Sequence, residues 1–370
     1  MLVPMTQIPR PDVLPLPAPV WLLEFLLLLT FVAHVVPMNF LFGGSLLAAV
    51  SHSRGAGEPR HRELARRIAQ AMPVVIAFAI TLGIAPLLFL QTLYGHLFYS
   101  SSILVARAWF LVIPLVIVGY YGAYWMRFRW DDLGGLRTGL AWLLALVFAG
   151  VAFIYSNNLS LLMRPESWPA HYLADPGGGR LNLSDPSLYP RYLHMVMGAL
   201  AVASVWTMWI GVRRRTADPE WSKWAVARGA RLFVGVTLVN LLVGGWFLFA
   251  LPREVTLLFM GRGALPTALL LGGLTCAMAA VGVIWQAGRA PRPLPLVVAG
   301  SALLLAAIGF MAVIRHTVRK VMLAPFFRLD ELAVEPQWGV FAVFGVLLLI
   351  GLAVVAWLVV TAHHATPERG

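Results

Sequence analysis

Two histidines inside long apolar runs are the residues of this sequence best suited to chemistry. His34 occurs in FVAHVVPMNFLFGG and His194 in YPRYLHMVMGALAV. A neutral imidazole in apolar surroundings needs a partner for its ring nitrogens, either a hydrogen-bonding group or a metal. Haem iron is one such metal, and histidine is a common axial ligand of it. We therefore treat His34 and His194 as candidate haem-iron ligands, with hydrogen bonding inside a helical bundle as the alternative.

The residues around His194 fit either interpretation. Pro190 suits the first turn of a helix, which places His194 just below one surface of the bundle. Small residues follow it, and either a flat macrocycle or a closely packed helix could rest on them. These are Gly198, Ala199, Ala201 and Ala203.

Three more candidates lie near the ends of other apolar runs. His96 and His316 fall at run ends, where a histidine either binds iron or is hydrated or bonded to loop backbone. Arg107 lies about one and a half turns into its run, and its planar guanidinium group suits a haem propionate. The alternative for Arg107 is an extended side chain that reaches the lipid headgroups.

A cationic cluster stands at the end of the eighth run. Arg315, Arg319 and Lys320 occur together in the segment RHTVRK. Such a cluster suits haem propionates, a quinone head group or an acidic partner protein. We predict that Arg315 contributes to a cofactor site.

Acidic residues are nearly absent from the apolar runs. Glu24, near the edge of the first run, is the exception. Proton pumps and proton-consuming oxygen sites usually need a protonatable relay through the membrane. The scarcity of acids therefore argues against both activities.

The composition indicates the element type that must position these side chains. The chain has 370 residues, of which 60% are hydrophobic and 12% charged, about half the charged fraction of a soluble domain. So much apolar surface requires lipid as the solvent, and a helix needs about 20 apolar residues to cross it. The sequence predicts an all-α fold, a polytopic membrane bundle of about nine transmembrane helices. The runs are 20–51, 70–98, 102–126, 137–157, 190–213, 229–250, 264–287, 294–315 and 338–362.

Basic loops predict the orientation of the bundle. The segments 52–69, 126–137, 212–232 and 288–293 are basic and share one side if there are nine spans. By the positive-inside rule that side is cytoplasmic, so the N-terminus lies outside and the C-terminus inside. We expect a multi-pass protein of the cell inner membrane. The net charge of +12 follows from these loops, and no basic face with interleaved aromatic residues indicates nucleic acid.

The chain divides into three predicted segments. Residues 1–19 form an extracytoplasmic N-terminal segment without the features of a cleaved signal peptide. Residues 20–213 form five spans that we predict to bind haem, and residues 214–370 form a second bundle of four. The outer 158–189 loop is either a docking surface or a plain cap. The single cysteine, Cys276, and the lack of CxxCH exclude a c-type haem attached to this chain.

Several segments resemble subunit I of the cytochrome bd quinol oxidases, a nine-span family with its N-terminus outside. The resemblance implies that His34 ligates a haem and that His194 ligates the low-spin haem, with haem b and quinone as cofactors. It is carried by the first five spans more than by the last four. The matching residues are His34, Pro37 and Gly43 in the first span, Gly83, Gln91, Gly95, Phe98 and Tyr99 in the second, and Pro190 and His194 in the fifth.

The sequence also departs from that family. The third span lacks the family's glutamates, and the quinol-binding loop after the sixth span is missing. The eighth-span glutamate ligand has no acidic counterpart near Arg315, so His316 is the only obvious substitute. The methionine that completes the low-spin site is either Met278, which lies deep in the seventh run, or Met260, nearer the outer face.

The resemblance and its departures favour one function and leave two alternatives. The favoured interpretation is a b-type cytochrome-like subunit of a quinol-linked oxidoreductase. It would pass electrons between quinone or quinol and an outer partner such as a c-type cytochrome, together with other membrane subunits. His34 and His194 would be axial ligands, while Arg107 and Arg315 would neutralise propionates. The alternatives are a haem-free scaffold or transporter subunit, and a true terminal oxidase, which the missing glutamates disfavour.

Overall fold

The structure is a computed structural model that describes residues 15–55 and 57–365. Over that part of the chain it contains nine helices that are long and apolar enough to cross a membrane. The predicted all-helical membrane bundle is therefore confirmed. We number the helices α1 (Val20–Arg54), α2 (Pro59–Leu104), α3 (Ala106–Phe128), α4 (Leu136–Leu162), α5 (Leu188–Arg213), α6 (Pro219–Phe249), α7 (Ala264–Ala287), α8 (Leu294–Leu323) and α9 (Trp338–Ala365).

The predicted break between the second and third spans exists, but it lies at Val105 and not at residues 99–101. Helix α2 continues to Leu104, and only Tyr94 inside it departs from helical geometry, with φ −133° and ψ 29°. The hydroxyls of Ser101 and Ser102 donate to the Phe98 carbonyl oxygen, at 3.0 and 2.7 Å. These polar side chains are satisfied within the helix, so they do not end it.

Two predicted depths change with the helix boundaries. Helix α3 begins at Ala106, so Arg107 lies in the first turn rather than one and a half turns inside. Helix α8 extends to Leu323, so Arg315 and His316 lie about two turns from its end instead of at the end. Arg315 and His316 are therefore farther from the end of the eighth helix than the apolar run predicts.

Helix α1 is the centre of the bundle and packs against α2, α4, α5 and α8. Its closest approach is to α5, where a Cβ added to Gly43 would lie 2.0 Å from the Ala199 carbonyl oxygen. A glycine is required at this position because the two backbones touch there. At Ala199 the small residues of α5 therefore serve helix packing.

The segments that precede α1 and α9 are hydrogen-bonded to each other. The Leu16 N–H donates to the Ala333 carbonyl at 2.8 Å, and the Glu335 N–H donates to the Leu16 carbonyl at 2.9 Å. Both helices therefore begin at the same end of the bundle, which we call the N-terminal face. Of the predicted N-terminal segment 1–19, residues 1–14 lie outside the described part of the chain.

The connection between α4 and α5 is a folded cap at the N-terminal face. It contains a short helix, Trp168–Ala174, and is held by buried amides. Asn157 Oδ1 accepts a hydrogen bond from the Asn182 N–H at 3.0 Å, and Asn158 Nδ2 donates to Ser102 Oγ of α2 at 2.9 Å. The first bond fixes the cap to α4, and the second joins α4 to α2.

Candidate functional site

His34 is held on α1 with one ring nitrogen engaged and the other available. Its Nδ1 lies 2.9 Å from the Ala79 carbonyl oxygen of α2. A carbonyl only accepts hydrogen bonds, so Nδ1 carries the proton and the lone pair is on Nε2. No hydrogen-bond partner of Nε2 is found in the described part of the chain. An imidazole oriented by a carbonyl through one nitrogen is the usual arrangement of a histidine metal ligand.

A glycine on α2 makes room for the His34 ring. A Cβ added to Gly83 would lie 2.8 Å from Cε1 and 3.0 Å from Nδ1 of His34. Any larger residue at this position would displace the imidazole. Gly83 therefore contributes to the site through the space that it leaves.

His194 lies on α5 and faces α6. A Cβ added to Gly244 of α6 would lie 3.3 Å from its Cε1 and Nδ1, so this ring also packs against a glycine. Asn240 of α6 is its polar neighbour. The buried atoms His194 Nδ1 and Asn240 Oδ1 both lack a hydrogen-bond partner with good geometry among the residues described.

Three arginines lie deep among the helices beside these histidines. Arg191 is on α5, one turn before His194, while Arg315 and Arg319 are one turn apart on α8. We call these three residues the buried arginine cluster. Their charges repel one another across the bundle, and Arg315 also acts on His34.

The buried arginine cluster has no carboxylate partner. Within residues 15–55 and 57–365, no carboxylate oxygen lies within 4.0 Å of any of the three guanidinium groups. Asp185, which attracts Arg191 from a greater distance, is paired with Arg164 at 3.4 Å. Nε and Nη2 of Arg191 and Nη1 of Arg319 are buried without a hydrogen-bond partner. A buried cation without a counter-ion is strongly unfavourable, so this cluster is suited to an anionic ligand.

Aromatic rings lie close to all three charges. The Cζ atoms of Arg191, Arg315 and Arg319 lie 5.1, 4.6 and 5.4 Å from the ring centroids of Phe247, Phe31 and Tyr94, respectively. A cation–π contact stabilises the charge by about 0.5–2 kcal/mol but accepts no N–H hydrogen bond. Arg191 Nη1 also donates to the weak acceptor Met163 Sδ at 3.9 Å, whereas Nε and Nη2 of Arg191 and Nη1 of Arg319 remain available.

Arg191, His194 and Arg315 are part-buried, so each side chain keeps some accessible surface.

His316 is engaged by a carboxylate. It is 7% exposed, and its Nε2 lies 3.1 Å from Oε1 of Glu24 on α1. Lys320 Nζ lies 2.8 Å from the same oxygen. One of the two ring nitrogens of His316 therefore faces an acid. The role of His316 as an iron ligand stays a prediction.

His96 and Arg107 lie apart from this polar layer. The His96 ring is 4.5 Å from that of Phe327, centroid to centroid. Arg107 is exposed, its N–H donates to the Gly178 carbonyl at 3.0 Å, and its side chain lies against Gly177 and Gly179. Arg107 therefore contacts the cap and is not close to Arg315. The arginines near Arg315 are Arg191 and Arg319.

The two methionines considered for the low-spin site are both exposed. Met278 on α7 is 47% exposed, and Met260 in the turn before α7 is 55% exposed. Their assignment stays a prediction. Among the described residues, no group of three His, Cys, Asp or Glu side chains could hold a bare metal ion.

Comparisons with known proteins identify the fold. The sequence matches no protein-family model and no curated protein. The structure is similar to a chain of the bd oxidase from Geobacillus thermodenitrificans, with a TM-score of 0.71 and 14% sequence identity. The similarity covers 96% of this chain and 100% of that chain. The chain is therefore a multi-pass helical membrane protein with a bd-oxidase-like fold.

Proposed function

We propose that this chain is a b-type cytochrome-like subunit that transfers electrons between membrane quinone or quinol and a partner at the N-terminal face. One observation carries the proposal: the buried arginine cluster, which lacks carboxylate partners, lies beside two imidazoles with available nitrogens. The bd-oxidase-like fold is compatible with it.

Haem b fits the donor groups of this site. His34 and His194 are single imidazoles on different helices, and each would hold the iron of a haem through one ring nitrogen. The guanidinium groups of Arg191 and Arg315 match the carboxylates of haem propionates in charge and geometry. Bound haem would supply one-electron redox chemistry.

The chain's own residues would orient the cofactor and exclude water from it. The Ala79 carbonyl fixes the tautomer of His34, and Gly83 admits its ring. Gly244 does the same for His194. The apolar helices around these residues keep the site in a low-dielectric environment, which strengthens the pairing of cations with propionates.

The site would combine both predicted parts of the chain. His34, Arg191 and His194 belong to the first five spans, 20–213, whereas Arg315 belongs to 214–370. We propose that the second part contributes the charge that the first part lacks.

The basic loops support an orientation with the N-terminal face outside the cell inner membrane. The cap between α4 and α5 is then exposed to the outer compartment. It is our candidate for contact with an electron-transfer partner such as a c-type cytochrome, with other membrane subunits beside the bundle.

The test is the absorption spectrum of the full chain purified in detergent from haem-sufficient cells. We expect a Soret band and an α band that appears on reduction, with haem b identified as its pyridine adduct. His194→Ala should remove the low-spin spectrum. His171→Ala, in the cap, is the matched control because His171 Nε2 pairs with the Arg180 carbonyl, at 2.9 Å.

A colourless but monodisperse preparation would overturn the proposal, provided that added haemin also fails to bind. Unchanged haem content in His194→Ala would refute the assignment of that ligand. The size-exclusion profile of each variant separates lost haem from lost folding.

A further inference from the structure

Three arginines near the face opposite the N-terminal face carry charge that has no close acid. They are Arg54, the last residue of α1, and Arg228 and Arg231, which lie one turn apart on α6. Arg54 and Arg231 are exposed, and Arg228 is half-buried. None of the three forms an ion pair with a carboxylate in the part of the chain that the structure describes. We call these residues the α1–α6 arginine group.

The charges of this group act on one another, so the three side chains are neighbours. Arg228 is repelled by both Arg54 and Arg231, and Glu58, which precedes α2, is the acid that attracts it. Glu58 is already engaged, because its Oε2 lies 3.3 Å from His61 Nε2. Three guanidinium groups thus share one nearby carboxylate, and two positive charges remain. This excess favours an anionic ligand.

Two tryptophans attach the beginning of α2 to α6 beside the group. Trp221 Nε1 donates a hydrogen bond to the Arg60 carbonyl oxygen at 3.2 Å. The Trp224 ring packs edge-on against the His61 ring, with the centroids 5.0 Å apart. The connection between α1 and α2 therefore lies against the first two turns of α6. This packing holds the end of α1, with Arg54, next to the other two arginines.

The sequence indicates the depth of the group in the membrane. Residues 232–252 contain no charged side chain, and Arg253 is the next charged residue after Arg231. Arg231 is therefore the last charge before the apolar part of α6, and Arg228 lies one turn nearer the water. The head groups of lipids border the hydrocarbon core at this depth.

An exposed stripe on α6 begins at the group and continues into the apolar part of the helix. Its members recur once per turn, so they share one face: Arg231, Gly235, Leu238 and Leu242. Leu238 is 45% exposed and Leu242 is 76% exposed, and a Cβ added to Gly235 would meet no atom within 4 Å. The stripe is about 16 Å long at the rise of an α-helix, which matches one leaflet of a hydrocarbon core of ~30 Å.

We propose that the α1–α6 arginine group binds the phosphate of an anionic phospholipid, and that an acyl chain of this lipid lies along the exposed stripe of α6. Guanidinium groups match a phosphate in charge and geometry. The apolar stripe beside them suits an acyl chain, whereas it offers nothing to a free phosphate ion. Phosphatidylglycerol represents this class, because its phosphate is its only charge. The site lies in the half opposite the buried arginine cluster and does not depend on the proposed electron transfer.

The experiment is a lipid titration of the full chain in detergent, read by native mass spectrometry. It compares phosphatidylglycerol with phosphatidylcholine of the same acyl chains, which has the same phosphate but is neutral overall. We expect the first phosphatidylglycerol to bind at least about tenfold more tightly, because arginines at the membrane surface favour anionic lipids. Arg228→Gln combined with Arg231→Gln should remove this preference. An unchanged preference in that variant would overturn the proposal.

A matched double variant separates this site from general positive charge. Arg213 and Arg215 are exposed at the same face, and they too form no ion pair among the residues described. We expect Arg213→Gln combined with Arg215→Gln to leave the affinity for phosphatidylglycerol within about twofold of the wild type. Equal losses in the two double variants would contradict the proposal, because the lipid would then respond only to net charge.

Two glycine variants test the acyl-chain part of the site at constant charge. Gly235→Trp fills the space beside Arg231, and we expect it to weaken phosphatidylglycerol binding about threefold. Gly282→Trp on α7 is the matched control, because this glycine is also exposed and a Cβ added to it would meet no atom within 4 Å. Equal affinities in these two variants, or displacement of the lipid by millimolar inorganic phosphate, would refute the assignment of a lipid.

Photolabelling of the wild-type chain gives a measurement without variants. The probe is phosphatidylglycerol with a diazirine in one acyl chain, and the labelled peptides are identified by mass spectrometry. We expect the label to be concentrated in residues 232–242, and the matching phosphatidylcholine probe to label this segment less. The same distribution of label from both probes would count against a specific site.

Discussion

The two halves of the bundle treat positive charge differently. In the half opposite the N-terminal face, several cations near helix ends pair with nearby acids, although Arg137, Arg214 and Arg228 do not. Arg129 Nε is 2.7 Å from Asp132 Oδ2, and Arg67 pairs with Glu63 one turn away. Near the N-terminal face, the buried arginine cluster has no such acid. The first arrangement follows from the positive-inside rule, whereas the second is the one that we propose to bind an anionic cofactor.

Histidines show the same contrast. His52, at the end of α1 in the opposite half, has a buried Nε2 without a partner, and its Nδ1 lies 2.9 Å from Thr138 Oγ1. It lines a cavity of about 20 Å³, which is room for about one water molecule. A cavity of this size has no room for a porphyrin beside His52. His34 and His194 instead lie beside three uncompensated cations.

The strongest test of this difference is to remove two positive charges from each half in separate variants. Arg191→Gln combined with Arg315→Gln should lower the haem-to-protein ratio at least tenfold, because each pairing with a propionate contributes about 1.5–3 kcal/mol. Arg66→Gln combined with Arg129→Gln should leave the ratio unchanged, since both arginines lie on the surface beside acids. The measurement is the pyridine haemochrome assay on monodisperse protein. Equal ratios in the two double variants would remove the distinction between the halves.

Replacing a carboxylate in each half gives a smaller test. Glu24→Gln should lower the free energy of unfolding by about 1–3 kcal/mol, because it leaves the His316 and Lys320 side chains without their acid. Thermal unfolding monitored by circular dichroism measures the change.

Two further variants sharpen this test. Glu63→Gln, which removes the partner of Arg67, should change stability by at most about 1 kcal/mol. Glu24→Asp should restore part of the loss because it keeps the charge. Equal losses in Glu24→Gln and Glu63→Gln would contradict the difference between the two pairs.

The smallest expected effect concerns stability without cofactor. In protein from haem-deficient cells, Arg319→Met should raise the free energy of unfolding by about 1–2 kcal/mol, because it replaces an uncompensated buried charge with an apolar side chain of similar length. Arg129→Met removes an exposed pair and should change stability by at most about 1 kcal/mol. Thermal unfolding monitored by circular dichroism compares the variants. A clear destabilisation by Arg319→Met in the haem-free chain would show that the cluster is satisfied without a ligand.

The transmembrane helices could be predicted from the sequence because each needs about 20 consecutive apolar residues to cross lipid. Such segments are recognised from local composition alone. Boundaries were less accurate where polar side chains bond within their own helix. Ser101 and Ser102 of α2 looked like a turn, yet their hydroxyls donate to the Phe98 carbonyl. The predicted eighth span ended at residue 315, whereas α8 continues to Leu323. Hydropathy detects the apolar part of a helix, and it does not detect polar turns that continue the helix beyond the lipid.

The candidate site was predicted less completely, because its members are distant in sequence. Spacing signals did exist for Arg191, one turn before His194, and for Arg319, one turn after Arg315. No local pattern pairs Glu24 with His316, which come from the first and eighth helices. Arg107 looked buried because the apolar run begins before it, although the helix begins at Ala106.

The hydrogen bonds between Leu16 and residues 333–335 have a consequence for biosynthesis. They join segments more than 300 residues apart, so they form only after the ribosome has made the end of α8 and the connection that follows it. Until then, the beginning of α1 lacks its partner, and α8, with the lysine and arginines that close one side of the bundle, has not been inserted. A nascent chain at this stage is open on that side, which gives a bulky prosthetic group a period in which to enter.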